Sequence, residues 1–470
     1  MKKLLAIVSA MLLMASCFSL TACGDKNKSQ AGVVTIGYYS GGYGTAWLDE
    51  IIEEYREKTG KEVIYDANSS VLATMETDLR DNNAYDMYIS HGIPVERYAA
   101  AGYLKSLDDL YEEEVSTGVS FEKRVIDIAL EVSKYDGHYY KVPYTQGVGG
   151  IVYNMDMFKA NGWEIPKTFD ELVALCKTIR DAKIVVQDQY VAPFVWGGNG
   201  EEYMWDYLVN EWWAQMVGVD KIAQTVQYAD SSVFDPNGNY KEFKEAYKLW
   251  YDLIVGTKSN SMDGVSGLTK TTSQAAFKNG LAAMIPNAHW IYNEMSLINL
   301  NFEIGFMPTP KAPNAKDDTK YNYLVGFGDS IVVSKNTQNY EQVKDFLKFL
   351  SRPENCATFT EKTNGTFLAF DYADVVIDES AVSKQAYTFI QSVKDKLTTS
   401  TSFSTYSASP IAYMTNEVMT FPGNQYFYTA AFTGSSALID GAITPDSVFS
   451  YLYDYAQNNW NRWKIMAGIR

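Results

Sequence analysis

The chain is short of the side chains from which most catalytic and metal sites are built. Among 470 residues there are four cysteines, two of them within the first 23 residues, and three histidines, His91, His138 and His289. No Cys-x-x-Cys and no His-Glu-x-x-His occurs, which leaves no basis for a zinc ribbon, a dithiol redox site or a zincin. Cys176 lies on the apolar side of a predicted helix, "FDELVALCKTI", and reads as a small core residue, with a 176–356 disulfide left open. None of the Gly-rich loops "GGYG", "GVGG" and "GGNG" has dinucleotide or P-loop spacing, and "GVSGL" (264–268) lacks a nucleophile elbow's second glycine. "DPNGNY" (235–240) lacks the glycine and terminal glutamate of a calcium loop and reads as an Asx/Gly turn. No cofactor and no metal is therefore expected. Candidate carboxylate pairs for a glycosidase exist in any acidic chain, and nothing singles one out.

Basic residues are scarce too. Lys and Arg number 40 against 57 Asp and Glu, a formal net charge of −17, which argues against nucleic acid and against an anionic membrane surface as partners. Long apolar runs are missing except at the start, where Lys2 and Lys3 precede Leu4–Leu13. That order is a secretory signal, too short and wrongly flanked for a transmembrane helix. "LTAC" (20–23) resembles a bacterial lipobox, which implies a signal peptide over 1–22, a diacylglyceryl group on Cys23 and a flexible tether over 23–32. Two acyl chains suffice for stable anchoring.

What is plentiful is apolar and aromatic, at 46% and 14%, enough for two or more lobes. From residue 33 the pattern is βαβ. "VVTIGYY" is a strand, and "TAWLDEIIEEYREKTG" a helix with Leu48, Ile51, Ile52 and Tyr55 on one face. "KEVIYD" and "YDMYIS" are further strands. Alternation of this kind predicts an α/β fold with a largely parallel sheet, whose ligands bind at the carboxyl ends of the strands. Thr168 and Glu171 form a predicted capping box.

This succession resembles the family-1, sugar-type extracellular solute-binding proteins of ABC importers. The resemblance rests on "YISHGIPVERYAAAGYLKSLDDL" (88–110), "GHYYKVPYTQGVGGIVYNMDMFKANGWEIPKTFDEL" (137–172), "AAFKNGLAAMIPNAHW" (275–290) and "SIVVSKNTQNYEQVKDFLKFLSRPEN" (330–355). It runs from residue 33 to about 370. Two departures stand out: "NAHW" where "NGxW" is usual, and His91-Gly92-Ile93 where a carboxylate or Asn pair is common.

The resemblance implies a type II, two-lobed periplasmic-binding-protein-like fold. Each lobe is a sheet flanked by helices, joined by a three-crossing hinge, with an N-lobe of 31–145 plus 307–334 and a C-lobe of 146–306 plus 335–470. It also implies a monomeric bacterial, Gram-positive lipoprotein on the outer face of the cell membrane, which captures an oligosaccharide for ABC permease subunits without catalysis. A same-fold binder of a polyamine or peptide, or a secreted lipoprotein glycosidase, are the competing readings.

Sugars need flat rings for their C–H faces and carboxylates or amides for their hydroxyl rims. Tyr43, in the Gly-rich loop after the first strand, and Trp290, in the "NGxW" position, are expected in the cleft. Tyr144 and Gln146 stand at the first hinge crossing as polar contacts or hinge packing. Asn68 reads as a turn residue or a sugar contact, His91 as a ligand donor or a loop histidine, and Asp329 as a further candidate. In "VAPFVWGGNGEEYMWDYLVNEWWAQMVG" (191–218), Trp205, Leu208, Val209, Trp212 and Met216 form one helical stripe. Trp212 and Trp213 are thus expected in the core, Trp205 near enough to the helix start to touch ligand, and Trp196 and Asn199 in the cleft.

Overall fold

A computed structural model describes residues 28–39, 43–68, 70–130, 133–198, 203–225, 229–256, 260–295, 300–316, 324–326, 329–397, 401–402 and 443–466. The expected signal segment, Cys23 and most of the tether lie outside the described residues. Two main sheets are built, in chain order, from β1 (Val33–Tyr38), β2 (Glu62–Ala67), β3 (Met87–His91), β4 (Val142–Pro143), β5 (Thr145–Asn154), β6 (Ala192–Phe194), β7 (Ala282–Ala288), β8 (Ile304–Met307), β9 (Leu324–Gly326), β10 (Asp329–Val333), β11 (Phe367–Leu368) and β12 (Thr401–Ser402).

The first sheet has the order β2-β1-β3-β10-β4, with β1 parallel to both β2 and β3. Parallel neighbours need a crossover, and helix Ala46–Thr59 supplies it. It buries Trp47, Leu48, Ile51 and Tyr55. Gly60 ends it at φ 71°, a left-handed conformation that glycine adopts without strain. In the second sheet, ordered β6-β7-β5-β9-β12, the central strand β5 also pairs with β8 and β11 and is buried along its whole length. The capping box of Thr168 and Glu171 opens helix Phe169–Ala182, which buries Leu172, Cys176 and Ile179. Cys176 and Cys356 are both buried, free thiols, each pushed up to about 12 by burial.

The chain passes between the sheets at Tyr144, between β9 and β10, and again between β10 and β11. The division differs in two places from the one implied by resemblance. Strand β9 pairs with β5, so the return to the first sheet begins at Asp329 rather than near 307. Helices Tyr340–Leu350 and Pro353–Lys362 pack on helix Ala46–Thr59 of the first sheet, the second of them also touching β11. Their rings explain this: Phe346 and Phe349 close on Tyr55 at 5.2 and 5.4 Å, and Phe359 lies edge-on to Trp47 at 5.0 Å. The chain end serves the second sheet's side. Phe389 of helix Lys384–Leu397 stacks on Tyr292, and Phe449 of helix Pro445–Met466 packs on Phe243 and Tyr247.

Candidate functional site

The carboxyl end of β3, the amino end of β10 and the start of β5 meet at the Tyr144 crossing. His91 lies opposite Asp329 across the β3–β10 ladder. Asp329 Oδ2 accepts two hydrogen bonds at 2.8 Å, from the Tyr43 hydroxyl and from Thr145 Oγ1. Among the described residues Oδ1 is left over. Tyr43 stands edge-on to Tyr144 at 5.7 Å. Its phenol is held well above its usual range by burial and by the Asp329 charge, with Glu294 adding to the same field, so it remains a neutral donor.

The opposite wall begins with the glycines of "QGVGG". Residues two apart on a strand share a face, and Gly147 and Gly149 leave that face of β5 without side chains. Two rings occupy the space. A β-carbon on Gly147 would fall 2.3 Å from Trp290 Cζ3, and one on Gly149 would fall 2.2 Å from Tyr207 Cδ1. The Trp290 and Tyr207 rings meet edge to face at 6.1 Å, and Trp290 keeps part of its surface exposed. One turn beyond Trp290, Glu294 accepts from Gln274 Nε2 at 2.7 Å and pairs with Lys270 at 3.1 Å. Gly147→Ala is expected to cost about 1–3 kcal/mol by overpacking and to tilt the Trp290 ring, read as a lower melting temperature together with weaker ligand binding.

Helix Tyr203–Val217 supports this wall. One turn after Tyr207 comes Glu211, buried, with Oε1 unpartnered among the described residues. Gln215, a turn further, donates to Thr309 O at 3.3 Å and accepts from Ala312 N at 2.8 Å. Burial pushes the Glu211 carboxyl up to about 8. A carboxyl whose folded pKa lies above its unfolded value, about 4.3, contributes stability that is complete below that value and lost as pH rises through 8. Wild type should therefore lose melting temperature between pH 6 and 9 relative to Glu211→Gln. Parallel profiles would contradict this.

The structure sets Tyr43 beside Asp329 and Trp290 against Gly147 of β5; Trp196 lies elsewhere than expected, while Tyr144, Gln146 and Asn68 take the packing or turn alternative. Trp196 is fully buried: its Nε1 donates to Ser261 Oγ at 3.1 Å and its ring meets Trp250 edge-on at 5.4 Å. The cause is segment 260–262, which lies along β6 with Met262 N donating to Phe194 O and so covers the ring. Gln146 spends its amide on Leu368 O at 2.8 Å and Phe370 O at 3.4 Å, fastening two hinge crossings together. Tyr144 is buried as hinge packing against Trp47 and Phe359. Asn68 closes an Asx turn, its Oδ1 accepting from Ser70 N at 2.8 Å. His91 is exposed and stacked on Tyr39 at 4.2 Å, a rim position. Asn199 and the side chain of Trp205 lie outside the described residues.

Trp212 and Trp213 are core. Trp212 Nε1 donates to Pro310 O at 2.9 Å, and Trp213 packs on Phe243 at 4.6 Å. Sequence reading missed Thr145, Tyr207 and the Glu294–Gln274–Lys270 group. The alternate glycines of "QGVGG", and Glu294 one turn after Trp290, were the available signals.

A family model described as bacterial extracellular solute-binding protein matches residues 41–355. The chain is 23% identical over 297 residues to a maltotriose-binding protein of Pyrococcus abyssi, covering 62% of this chain and 56% of that protein. It thus spans just over half the length of that relative. It is 22% identical over 346 residues to a multiple sugar-binding protein of Streptococcus mutans, covering 71% of this chain and 75% of that one. The apo form of RafE from Streptococcus pneumoniae superposes with a TM-score of 0.68 at 18% identity, covering 90% of this chain and 97% of that one. At that identity the likeness shows the two-lobed fold alone.

Proposed function

The chain belongs to the bacterial extracellular solute-binding proteins, and from that premise we propose that it binds a neutral oligosaccharide between its lobes and delivers it to an ABC permease. The observation that carries this reading is the Trp290 ring seated on a glycine face, with the Tyr43–Asp329–Thr145 group near the same hinge. A flat ring suits the C–H face of a sugar, and Asp329 Oδ1, left over among the described residues, suits a hydroxyl. The sugar-binding names of the relatives above point the same way. A polyamine fits less well, since Glu294, the second carboxylate near the site, is already paired with Lys270. The role is capture, not catalysis. Ligand shifts the lobes toward closure by as much as it prefers the closed form.

We further assign the described residues within 31–143 and 329–362 to the first lobe and those within 145–326 and 367–466 to the second. The chain is, in this reading, a monomeric lipoprotein anchored through Cys23 to the outer face of a Gram-positive membrane. Calorimetric titration of residues 24–470 against maltotriose, other neutral oligosaccharides, spermidine and a tripeptide tests the function. One-to-one binding of a sugar is expected. Heat from spermidine or peptide alone, or from nothing, would overturn it.

A further inference from the structure

The side chain of His289 takes the place of a backbone group. β7 runs antiparallel to β5 as far as Ala288, opposite Gly149. One residue further, His289 N donates to Val148 O at 3.0 Å. The return bond goes to the ring: Val148 N donates to His289 Nδ1 at 3.0 Å. The imidazole thus adds a rung to a ladder whose strand has ended. The next residue, Trp290, lies over Gly147, the neighbour of the clamped Val148.

We propose that His289 is the positioning residue for Trp290, its Nδ1 fixing β5 at Val148 so that the indole keeps one orientation for the sugar. This inference rests on the carbohydrate reading above. Two observations support it. Because Nδ1 accepts an N–H, the proton of the neutral ring sits on Nε2. That Nε2 is buried without a partner among the described residues. An apolar side chain of similar size would spare that cost only by leaving Val148 N–H without its acceptor, so the imidazole is kept for the rung it supplies. The same ring also lies 5.7 Å from Trp290 and 5.5 Å from Phe367. Phe367 belongs to β11, paired with Gln146 beside the first crossing, so one imidazole touches both the platform and the hinge. Burial keeps the ring neutral, its pKa lowered to about 3.

His289→Asn retains an acceptor, Oδ1, where Nδ1 stood, and His289→Leu removes it. In the ligand-free protein, amide exchange at Val148 is expected to quicken about tenfold in H289L and to stay near wild type in H289N. With sugar, H289L should weaken binding about tenfold when Trp290 is present and less than about twofold in a Trp290→Ala background. H289N should restore most of the loss. Unchanged exchange at Val148 in H289L, or an equal affinity loss with and without Trp290, overturns the proposal. Imidazole nitrogen shifts of the wild type need no variant: the Nε2–H tautomer is expected, and an Nδ1–H tautomer overturns the clamp. Should no sugar bind wild type, the carbohydrate reading fails, while exchange and tautomer still decide the clamp.

Discussion

Trp290→Ala is expected to weaken oligosaccharide binding about thirtyfold, some 2 kcal/mol, and to cost less than that in stability. The asymmetry follows from placement. The ring keeps part of its surface exposed, so its removal opens no closed cavity, yet it is seated on β5 where Gly147 leaves room for it. Aromatic anchors of this kind carry a large share of binding energy at ligand sites. Trp290→Phe should retain part of the affinity, since a smaller ring still stacks. Calorimetric dissociation constants alongside thermal melts separate the two effects. An affinity within about threefold of wild type for W290A would remove this ring from the site.

Trp196→Ala should behave in the opposite way, destabilising the fold by about 3–5 kcal/mol while the folded fraction binds sugar within about twofold of wild type. The indole is fully buried, its Nε1 bonded to Ser261 Oγ and its face against Trp250, so truncation leaves both a cavity and an unmet acceptor. Denaturant melts at fixed ligand-free conditions give the stability, and titration at low temperature gives the affinity. A stable W196A with lost binding would return this ring to the cleft.

These two tryptophans show where the sequence was legible and where it was not. The βαβ start and the capping box at Thr168 are local signals, written in residue type and spacing, and they are found where the pattern predicts them. Trp290 was singled out by the family block around it and Tyr43 by its loop after the first strand, and both stand as proposed ligand contacts. The burial of Trp196 was not legible, because what covers it is segment 260–262, about sixty-five residues away in sequence, and no periodicity reports a partner at that distance. Gln146 takes the hinge-packing alternative for a related reason, since its amide serves carbonyls of a crossing more than two hundred residues on. The boundary at β9 was misplaced because a three-residue strand carries too little pattern to choose between two sheets. Asn68 shows the reverse case: the bland alternative, a turn, was itself a local signal, and the structure realises it.

The most direct test is a crystal structure of the protein with the tightest-binding oligosaccharide from the titration panel. A sugar ring is expected stacked on Trp290, with a hydroxyl within hydrogen-bonding reach of Asp329 Oδ1. Sugar seated away from both residues, with the Trp290 face left to solvent, would contradict it.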